Sequence, residues 1–460
     1  MRLRRAFIPV TTKRRVTHYT GPRSPEGQGE VVVDHIRGLF ANARAVSHGV
    51  VRMAAATLGS RPVRHLLESP SWGATESPPD GPVLPVAGNE IELPGCPFDV
   101  APTSDGRCIF VSLQQPGGNQ RSPGAIAVLH REGDLFRLGR VIPLTAAAWG
   151  LALVREESLL AVANSHGVTL LDAHKARNTD QDPVVGTAHY GRDLQTIQVL
   201  ESADGRWLLA SDEHNSTISI LDLNRASDGE FGANALVSQV PVDLCPLGMA
   251  LSPDGKYLYV TCEMSRVAAP DLVNWFIWAA TLHGHLRRAG VLITIDLDVA
   301  TSDPKQAVVA RTVAGGHPVR MRLSRDGRVA WVTARASNQL LAFSTEQPDL
   351  PKPIASTPVG PAAVGLAVIE ELGIVLVANS NRFAPTRHRE TLSVIDIEQA
   401  LAGRPACLGQ ITVGSFPREI IVDARHRILY VTNFDSQSLS VIPIESLEHA
   451  VESVRAKLKR

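Results

Sequence analysis

Two cationic side chains stand three residues apart in the segment GGHPVR, which runs from Gly315 to Arg320. His317 and Arg320 lie at or just before the start of a predicted strand, where equivalent segments of the chain carry glycine or apolar residues. A guanidinium group binds carboxylate and phosphate groups through two parallel hydrogen bonds. The segment therefore predicts a site for a small anionic group, with Arg320 and His317 at its centre.

The strand that contains Arg320 belongs to a hairpin that recurs along the chain. Its clearest copy is ALSPDGKYLYVTCE, from Ala250 to Glu263, in which a Ser-Pro-Asp-Gly turn joins two short strands. In such a turn proline presets φ, aspartate bonds its own backbone and glycine takes the position with φ > 0. Three further copies keep the Asp-Gly pair and three are degraded. These copies begin at Thr103, Ser202, Ser324, Val154, Ile369 and Asp423.

Seven copies of one hairpin indicate a repeat protein. Each unit adds an apolar third strand and a fourth strand that leads to the next copy, at roughly 40–50 residues per unit. We therefore predict an all-β fold, a seven-bladed β-propeller of four-stranded antiparallel blades. A lone strand at Val86–Leu93 precedes the first hairpin, and the seventh unit supplies three strands. The lone strand is predicted to close the ring as the outer strand of the last blade.

The position of Arg320 can be compared across all seven units. Small residues dominate it, as expected near a crowded axis, and four polar residues are the exceptions. The position holds Asp99, Gly150, Gln198, Gly248, Arg320, Gly365 and Glu419. We predict that Asp99, Gln198 and Glu419 point with Arg320 towards the mouth of a central channel and bind a ligand there. The alternative is that Arg320 pairs with Asp99 or Glu419 across the channel and has a structural role.

Long loops follow the second strand in units one, four and six. In a four-stranded blade these loops share one face with the loops before the first strand, and surface loops on a rigid scaffold commonly carry binding residues. Further candidate ligand-binding residues in these loops are His283, His285, Arg387 and His388. The insertion in unit four is also predicted to contain a helix from Pro270. It either packs across the rim of the ring or acts as a lid or a partner-docking helix.

The ends of the chain differ in composition from the repeats. Residues 1–28 contain seven basic residues and one acidic residue, and an amphipathic helical pattern and a Pro- and Ser-rich linker follow. We predict that residues 1–82 form a basic, partly disordered arm with one helix. Residues 83–446 are predicted as the propeller, with a helical insertion at 264–290, and 447–460 as a short charged C-terminal helix.

The composition of the chain limits the classes of binding partner and the cellular compartments that can be predicted for it. The chain of 460 residues has 46 basic and 46 acidic residues, so its charge does not favour nucleic acid. It contains no CxxC or HExxH spacing, and we expect neither a metal site nor a cofactor. Five cysteines are an odd number, and Cys96 and Cys245 occupy equivalent positions in units that are not neighbours. We therefore predict free thiols, a cytoplasmic monomer and, as the alternative, export or organellar import through the basic arm.

The second strands also carry a family resemblance. Their sequences YVTC, YVTN, WVTA and VAN resemble the YVTN family of WD40-like propeller repeats, at Tyr259–Cys262, Tyr430–Asn433, Trp331–Ala334 and Val377–Asn379. That family is similar to the seven-bladed lactonase propellers of the 6-phosphogluconolactonase and carboxymuconate cyclase types. The resemblance, over roughly Val86 to Ile444, implies a lactone hydrolase or cycloisomerase. His317 would then act as a general base, and Arg320 and Arg335 would hold a substrate carboxylate.

Three functions remain open from the sequence. The first is a propeller scaffold whose inserted loop face binds a protein partner or a small anionic ligand. The second is an enzyme of the lactonase or cyclase type that acts on a carboxylated or phosphorylated lactone. The third is a propeller that associates with a membrane surface through residues 1–60.

Overall fold

Seven four-stranded antiparallel sheets succeed one another along the chain in the computed structural model of the protein. The structure describes residues 81–117, 122–227, 230–265, 289–381 and 390–458. These residues lie in the second of the two units into which the chain divides, Met1–Ser69 and Pro70–Arg460. The predicted seven-bladed β-propeller is confirmed, whereas the predicted helix of the arm and the helix of the insertion lie outside the described residues.

The first strand of each blade lies nearest the central channel and is called the inner strand. Blade one consists of β2 (Cys96–Pro102), β3 (Cys108–Gln114), β4 (Ala125–Glu132) and β5 (Leu135–Pro143). Blade two consists of β6 (Leu151–Val154), β7 (Leu159–Asn164), β8 (Gly167–Asp172) and β9 (Val184–His189). Blade three consists of β10 (Thr196–Glu201), β11 (Trp207–Asp212), β12 (Thr217–Asp222) and β13 (Leu236–Pro241).

The remaining blades repeat this arrangement. Blade four consists of β14 (Leu244–Leu251), β15 (Tyr257–Met264), β16 (Val291–Asp296) and β17 (Val308–Val313). Blade five consists of β18 (Pro318–Leu323), β19 (Val329–Ala334), β20 (Gln339–Ser344) and β21 (Lys352–Pro358). Blade six consists of β22 (Ala363–Ile369), β23 (Ile374–Asn379), β24 (Thr391–Asp396) and β25 (Cys407–Thr412). Blade seven consists of β26 (Pro417–Asp423), β27 (Ile428–Asn433), β28 (Ser438–Pro443) and β1 (Asn89–Glu92).

Short helices connect third and fourth strands, and a longer one follows the last blade. They are α1 (Ala173–Asn178), α2 (Asn224–Ser227), α3 (Leu297–Ser302), α4 (Ile397–Leu401) and α5 (Ile444–Leu458), with 3₁₀ turns at Ala233–Ala235 and Glu370–Leu372. The aspartate that ends the third strand caps the helix after it, as where Asp396 accepts from Gln399 N at 3.0 Å. Arg455 of α5 bonds the same Asp396 at 2.7 Å and so ties α5 to blade six. Within the described part of the chain, no helix has the length and apolar character needed to cross a membrane.

The Ser-x-Asp-Gly turn fixes the hairpin at the start of each well-preserved blade. In blade four, Ser252 Oγ donates to Asp254 Oδ1 at 2.6 Å, and the same carboxylate oxygen accepts from Lys256 N at 3.1 Å. Gly255 takes φ +70°, a conformation that side chains disfavour. Because these bonds are local, the four residues of the turn largely determine where each hairpin bends.

The Thr or Ser in the middle of the second strand joins neighbouring blades. In blade five, Thr333 Oγ1 accepts from Arg320 N of its own inner strand at 3.1 Å and donates to Val364 O of the next inner strand at 2.6 Å. The hydroxyl groups of blades one, three, four and seven repeat this donation, from Ser112, Ser211, Thr261 and Thr432 to the carbonyls of Trp149, Leu247, Val319 and Phe98. Blades two and six carry Ala163 and Ala378 at this position. The Thr of the YVTN-like motif is therefore a link between blades.

The ring is closed by the strand that comes first in the chain. β1 pairs antiparallel with β28, with Asn89 opposite Val441 and Glu92 opposite Ser438. Leu93 N donates to Gln437 O at 2.8 Å and extends the pairing by one residue. The prediction that the lone strand within 86–93 completes the last blade is confirmed.

Candidate functional site

The central channel opens into a cavity of about 250 Å³ on the face that carries the predicted loop insertions. Its rim is formed by residues two places after the blade-linking Thr, Ser or Ala of the second strands. The rim residues are Gln114, Glu213, Glu263, Arg335, Ser380 and Phe434. One level deeper are the residues that follow a Pro, Ala or Thr at or near the start of each inner strand. They are Phe98, Trp149, Ile197, Leu247, Val319, Val364 and Arg418.

A residue at or just before the start of most inner strands has a left-handed backbone and positions the rim. Gln195, Cys245, His317, Ala362 and Phe416 have φ between 46° and 56°. Their carbonyl groups accept hydrogen bonds from backbone amides of the rim. For example, His317 O accepts a hydrogen bond from Arg335 N at 3.0 Å. The pairing between inner and second strand then shifts register, in blade five between Pro318 and Met321. This bulge interrupts the alternation of side chains at the point where the strand reaches the cavity.

Two glutamates from neighbouring blades form the acidic side of the rim. Glu263 in blade four accepts a hydrogen bond from Arg335, and its Oε2 lies 3.7 Å from His317 Nδ1. Glu213 in blade three is half-buried. Burial and then the nearby Glu263 raise the pKa of the Glu213 carboxyl, because both disfavour a second negative charge there.

Arg418 brings a positive charge to the deeper level of the cavity, where the other six blades carry apolar residues. Its guanidinium carbon lies 3.7 Å from the ring centroid of Phe98, 5.8 Å from that of Phe416 and 5.7 Å from that of Phe434. Cation–π contacts on three rings hold the planar group in a fixed orientation at the cavity wall.

Arg320 makes a buried ion pair inside the channel. Its Nε donates to Glu419 Oε2 at 2.6 Å, and Arg322 Nη2 donates to Glu419 Oε1 at 2.9 Å. Arg320 and Glu419 are 3% and 2% exposed. Burial would raise the pKa of Glu419, but the two arginines outweigh burial and hold its pKa below the usual value. The structure thus contains the pairing that the structural alternative for Arg320 predicts.

Asp99 and Gln198 bond the backbones of neighbouring blades. Asp99 Oδ2 accepts from Leu151 N at 2.9 Å, and Gln198 Oε1 accepts from Met249 N at 2.7 Å. Burial and the nearby Glu419 raise the pKa of Asp99 to about 6. A ligand-binding role for Asp99, Gln198 or Glu419 stays a prediction, since each side chain already has protein partners.

The predicted site residues are thus separated in the structure. His317 and Arg335 meet at Glu263 on the rim, Arg320 borders the cavity from its ion pair, and His283, His285, Arg387 and His388 lie outside the described residues. The prediction missed Glu213, Glu263 and Arg418. The repeat alignment contains a signal for Arg418, because the other units carry apolar residues at its position. Where the structure describes the chain, no group of three His, Cys, Asp or Glu side chains is arranged for a metal ion, and all five cysteines are free.

Comparison with known proteins identifies the fold. No protein family model and no curated protein matches the sequence. Hydrazine synthase of Kuenenia stuttgartiensis is similar in structure, with a TM-score of 0.57 and 15% identity over 77% of this chain and 96% of that chain. The periplasmic gluconolactonase of Pseudomonas aeruginosa has a TM-score of 0.54 and 18% identity over 74% of this chain and 88% of that one. A chain of the mitotic checkpoint complex has a TM-score of 0.56 and 10% identity, covering 82% and 98%.

These likenesses establish the fold. The chain is a seven-bladed β-propeller with a lactonase among its structural neighbours. Membership of the YVTN repeat family stays a prediction, because no family model matches.

Proposed function

We propose that this propeller binds a small anionic ligand in the cavity at the channel mouth. The observation that supports it is Arg418, a guanidinium held over Phe98 at the wall of a cavity of about 250 Å³. A fixed guanidinium group matches a carboxylate in a bidentate geometry, and its ordering cost is met before the ligand arrives.

The arginines that would contact the ligand differ from those predicted first. Arg320 is occupied by Glu419, so it supports the channel wall. Arg335 stands on the rim with a side chain 23% exposed and paired with Glu263, where a ligand carboxylate can share it. Arg418 and Arg335 are therefore the anion-binding pair of the proposal.

A thermal-shift screen tests the proposal. Small carboxylates, sugar acids and inorganic phosphate are added to the full-length protein and to Arg418→Leu, Arg335→Ala and Arg320→Ala. A ligand at 100 times its Kd stabilises the fold by about 2.7 kcal/mol, so binding is readily seen as a rise in Tm. Arg418→Leu and Arg335→Ala should lose that rise. Arg320→Ala should have a lower Tm without ligand but keep the rise.

Arg404→Ala is the matched control, because Arg404 pairs with Glu398 beside α4 and is well exposed. It should respond to ligand as the wild type does. The proposal is wrong if neither a small anion nor an amino acid that carries a carboxylate raises the Tm of the wild type.

A lactone hydrolase is the second candidate. His317 lies beside Glu263 and Arg335 on the rim, and the fold is shared with a gluconolactonase. In this mechanism His317 accepts a proton from water as the water oxygen attacks the lactone carbonyl, and Arg335 stabilises the oxyanion that forms. The ring C–O bond of the carbonyl carbon then breaks, and His317 returns the proton to the leaving ring oxygen. Glu263 would orient the imidazole ring.

Hydrolysis of gluconolactone, corrected for its spontaneous opening, tests this candidate. His317→Gln should lower the rate by roughly 10²–10⁴-fold, and His449→Gln on the exposed surface of α5 should not. A wild-type rate equal to the spontaneous rate excludes the activity.

Two alternatives rest on residues outside the described part. A membrane-associated propeller would use residues 1–60, and its test is sedimentation with liposomes with and without residues 1–80. A protein partner would use the insertion at 264–290, and its test is loss of binding when that insertion is replaced by a short loop.

A further inference from the structure

We propose that the ligand of the channel mouth is a zwitterion, a free α-amino acid with an apolar side chain. This inference rests on the proposed function and names its ligand class. Three features of the cavity support it: the distribution of charge around the rim, the balance of that charge and the apolar level beneath.

Glu213 and Arg418 come from opposite sides of the cavity, whereas Glu263 is paired with Arg335 beside it on the rim. Glu213 and Glu263 come from blades three and four, and Arg418 comes from blade seven. In a ring of seven, blades three and four are those furthest from blade seven. A ligand in the middle of the cavity therefore meets the carboxylate of Glu213 on one side and the guanidinium of Arg418 on the other.

The charge on the rim disfavours a ligand with negative charge alone. A sugar phosphate or dicarboxylate that contacts Arg418 would also lie near Glu213 and Glu263, and like charges in a partly buried site repel. An ammonium group on the same ligand reverses that effect, because it is attracted to the carboxylate of Glu213. Burial and Glu263 keep the pKa of Glu213 raised although His214, Arg418 and Arg335 lower it, so a further cationic group beside this carboxylate is favourable.

The apolar level of the cavity suits a hydrocarbon side chain. Phe98, Trp149, Ile197 and Leu247 line the cavity below the rim. At about 30 Å³ for each water molecule, 250 Å³ corresponds to about eight waters. That space accommodates a free amino acid and is too small to enclose a dinucleotide or an oligosaccharide.

Three ligands with one hydrocarbon skeleton provide the test on the full-length wild-type protein. L-leucine carries both charged groups, 4-methylpentanoate lacks the ammonium group and 3-methylbutylamine lacks the carboxylate. A charged hydrogen-bonded contact contributes enough that each truncated ligand should bind at least about tenfold more weakly in calorimetric titration. Inorganic phosphate should bind more weakly still.

Two variants assign the contacts. Glu213→Gln should bind leucine and 4-methylpentanoate equally, because the variant no longer distinguishes the ammonium group. Arg418→Leu should bind leucine and 3-methylbutylamine equally, and it places at this position the apolar type that the other blades carry. If Arg418→Leu does not fold, Arg418→Lys replaces it in the test. Glu398→Gln and Arg404→Ala alter an exposed ion pair between α4 and the turn after it, and both should keep the wild-type ranking.

The outcomes separate the two proposals. If 4-methylpentanoate or phosphate binds as tightly as leucine, the cavity binds anions and the zwitterion inference is wrong. If 3-methylbutylamine alone matches leucine, the site selects a cation, and both proposals are wrong. If no ligand of the set binds and no anion raises the Tm, both proposals are also wrong.

Discussion

A single buried carboxylate distinguishes blade three from its neighbours. Asp212 is fully buried and accepts hydrogen bonds from Thr196 Oγ1 at 2.6 Å, from Tyr190 at 3.2 Å and from Ser219. At the equivalent position three blades carry asparagine, and its amide donates to third-strand hydroxyls, as Asn433 does to Ser440 at 2.9 Å. The same network is thus built with a neutral amide elsewhere. Burial raises the pKa of Asp212 to about 6 from 3.8.

Asp212→Asn should therefore stabilise the protein at neutral pH. Because the folded pKa lies above the unfolded one, the contribution of Asp212 to stability is complete below about pH 4 and is lost as the pH rises through 6. The loss is roughly 2–3 kcal/mol. In urea unfolding from pH 4 to pH 8, the free energy of unfolding of the variant should increasingly exceed that of the wild type above pH 5.

The pKa of Asp99 is also raised to about 6, so the stability of the variant should still fall with pH in this range, but less steeply than that of the wild type. Asp212→Leu, which cannot bond the hydroxyl groups, is the control and should be destabilised at every pH. A variant Asp212→Asn that is less stable than wild type at pH 8 would show that the ionised carboxylate is preferred in this network.

At the scale of the element, the second strand performs two tasks through alternate residues. Its aromatic residue is buried in the blade, as Trp331 and Tyr430 are, and its Thr bonds two inner strands at once. The strand is therefore the element that holds one blade to the next.

Thr333→Val should destabilise the fold by about 2–4 kcal/mol, because Arg320 N and Val364 O each lose a buried partner. Thr333→Ser keeps the hydroxyl group, as Ser112 and Ser211 do in other blades, and should cost no more than about 1 kcal/mol. Thermal unfolding of the two variants makes the comparison. Little or no loss in Thr333→Val would mean that the hydroxyl link between blades does not stabilise the fold.

The inner strand shows why the site was predicted less well than the fold. The hairpins could be predicted because a Ser-x-Asp-Gly turn bonds itself, and local sequence determines it. The residues that face the cavity could not be predicted in this way. A left-handed residue such as His317 and the register shift after Pro318 change which side chains of the inner strand point to each side. Alignment at the position of Arg320 therefore selected side chains that bond the protein, while Arg418, one position earlier in its blade, faces the cavity.

At the scale of the whole molecule, stability depends on closure of the ring. Deleting residues 1–80 should leave a folded propeller, because all strands remain. Deleting residues 1–93 removes β1, exposes the edge of β28 and uncovers apolar residues of the last blade, so its Tm should be much lower. Thermal unfolding of both truncations, monitored by circular dichroism, is the measurement. Equal melting temperatures would contradict a stabilising role for β1.

The pairing of β1 with β28 also sets the order of events in time. Asn89 is synthesised long before Val441, its partner in the last blade, so β1 leaves the ribosome without its neighbour and waits for the whole of the propeller to follow. The entropic cost of joining such distant segments grows only with the logarithm of their separation. The pairing is therefore delayed mainly by the time that synthesis of the intervening chain takes. During that delay the waiting strand of one nascent chain fits the open edge of another as well as its own. Crowded synthesis would therefore yield strand-exchanged dimers joined at this seam.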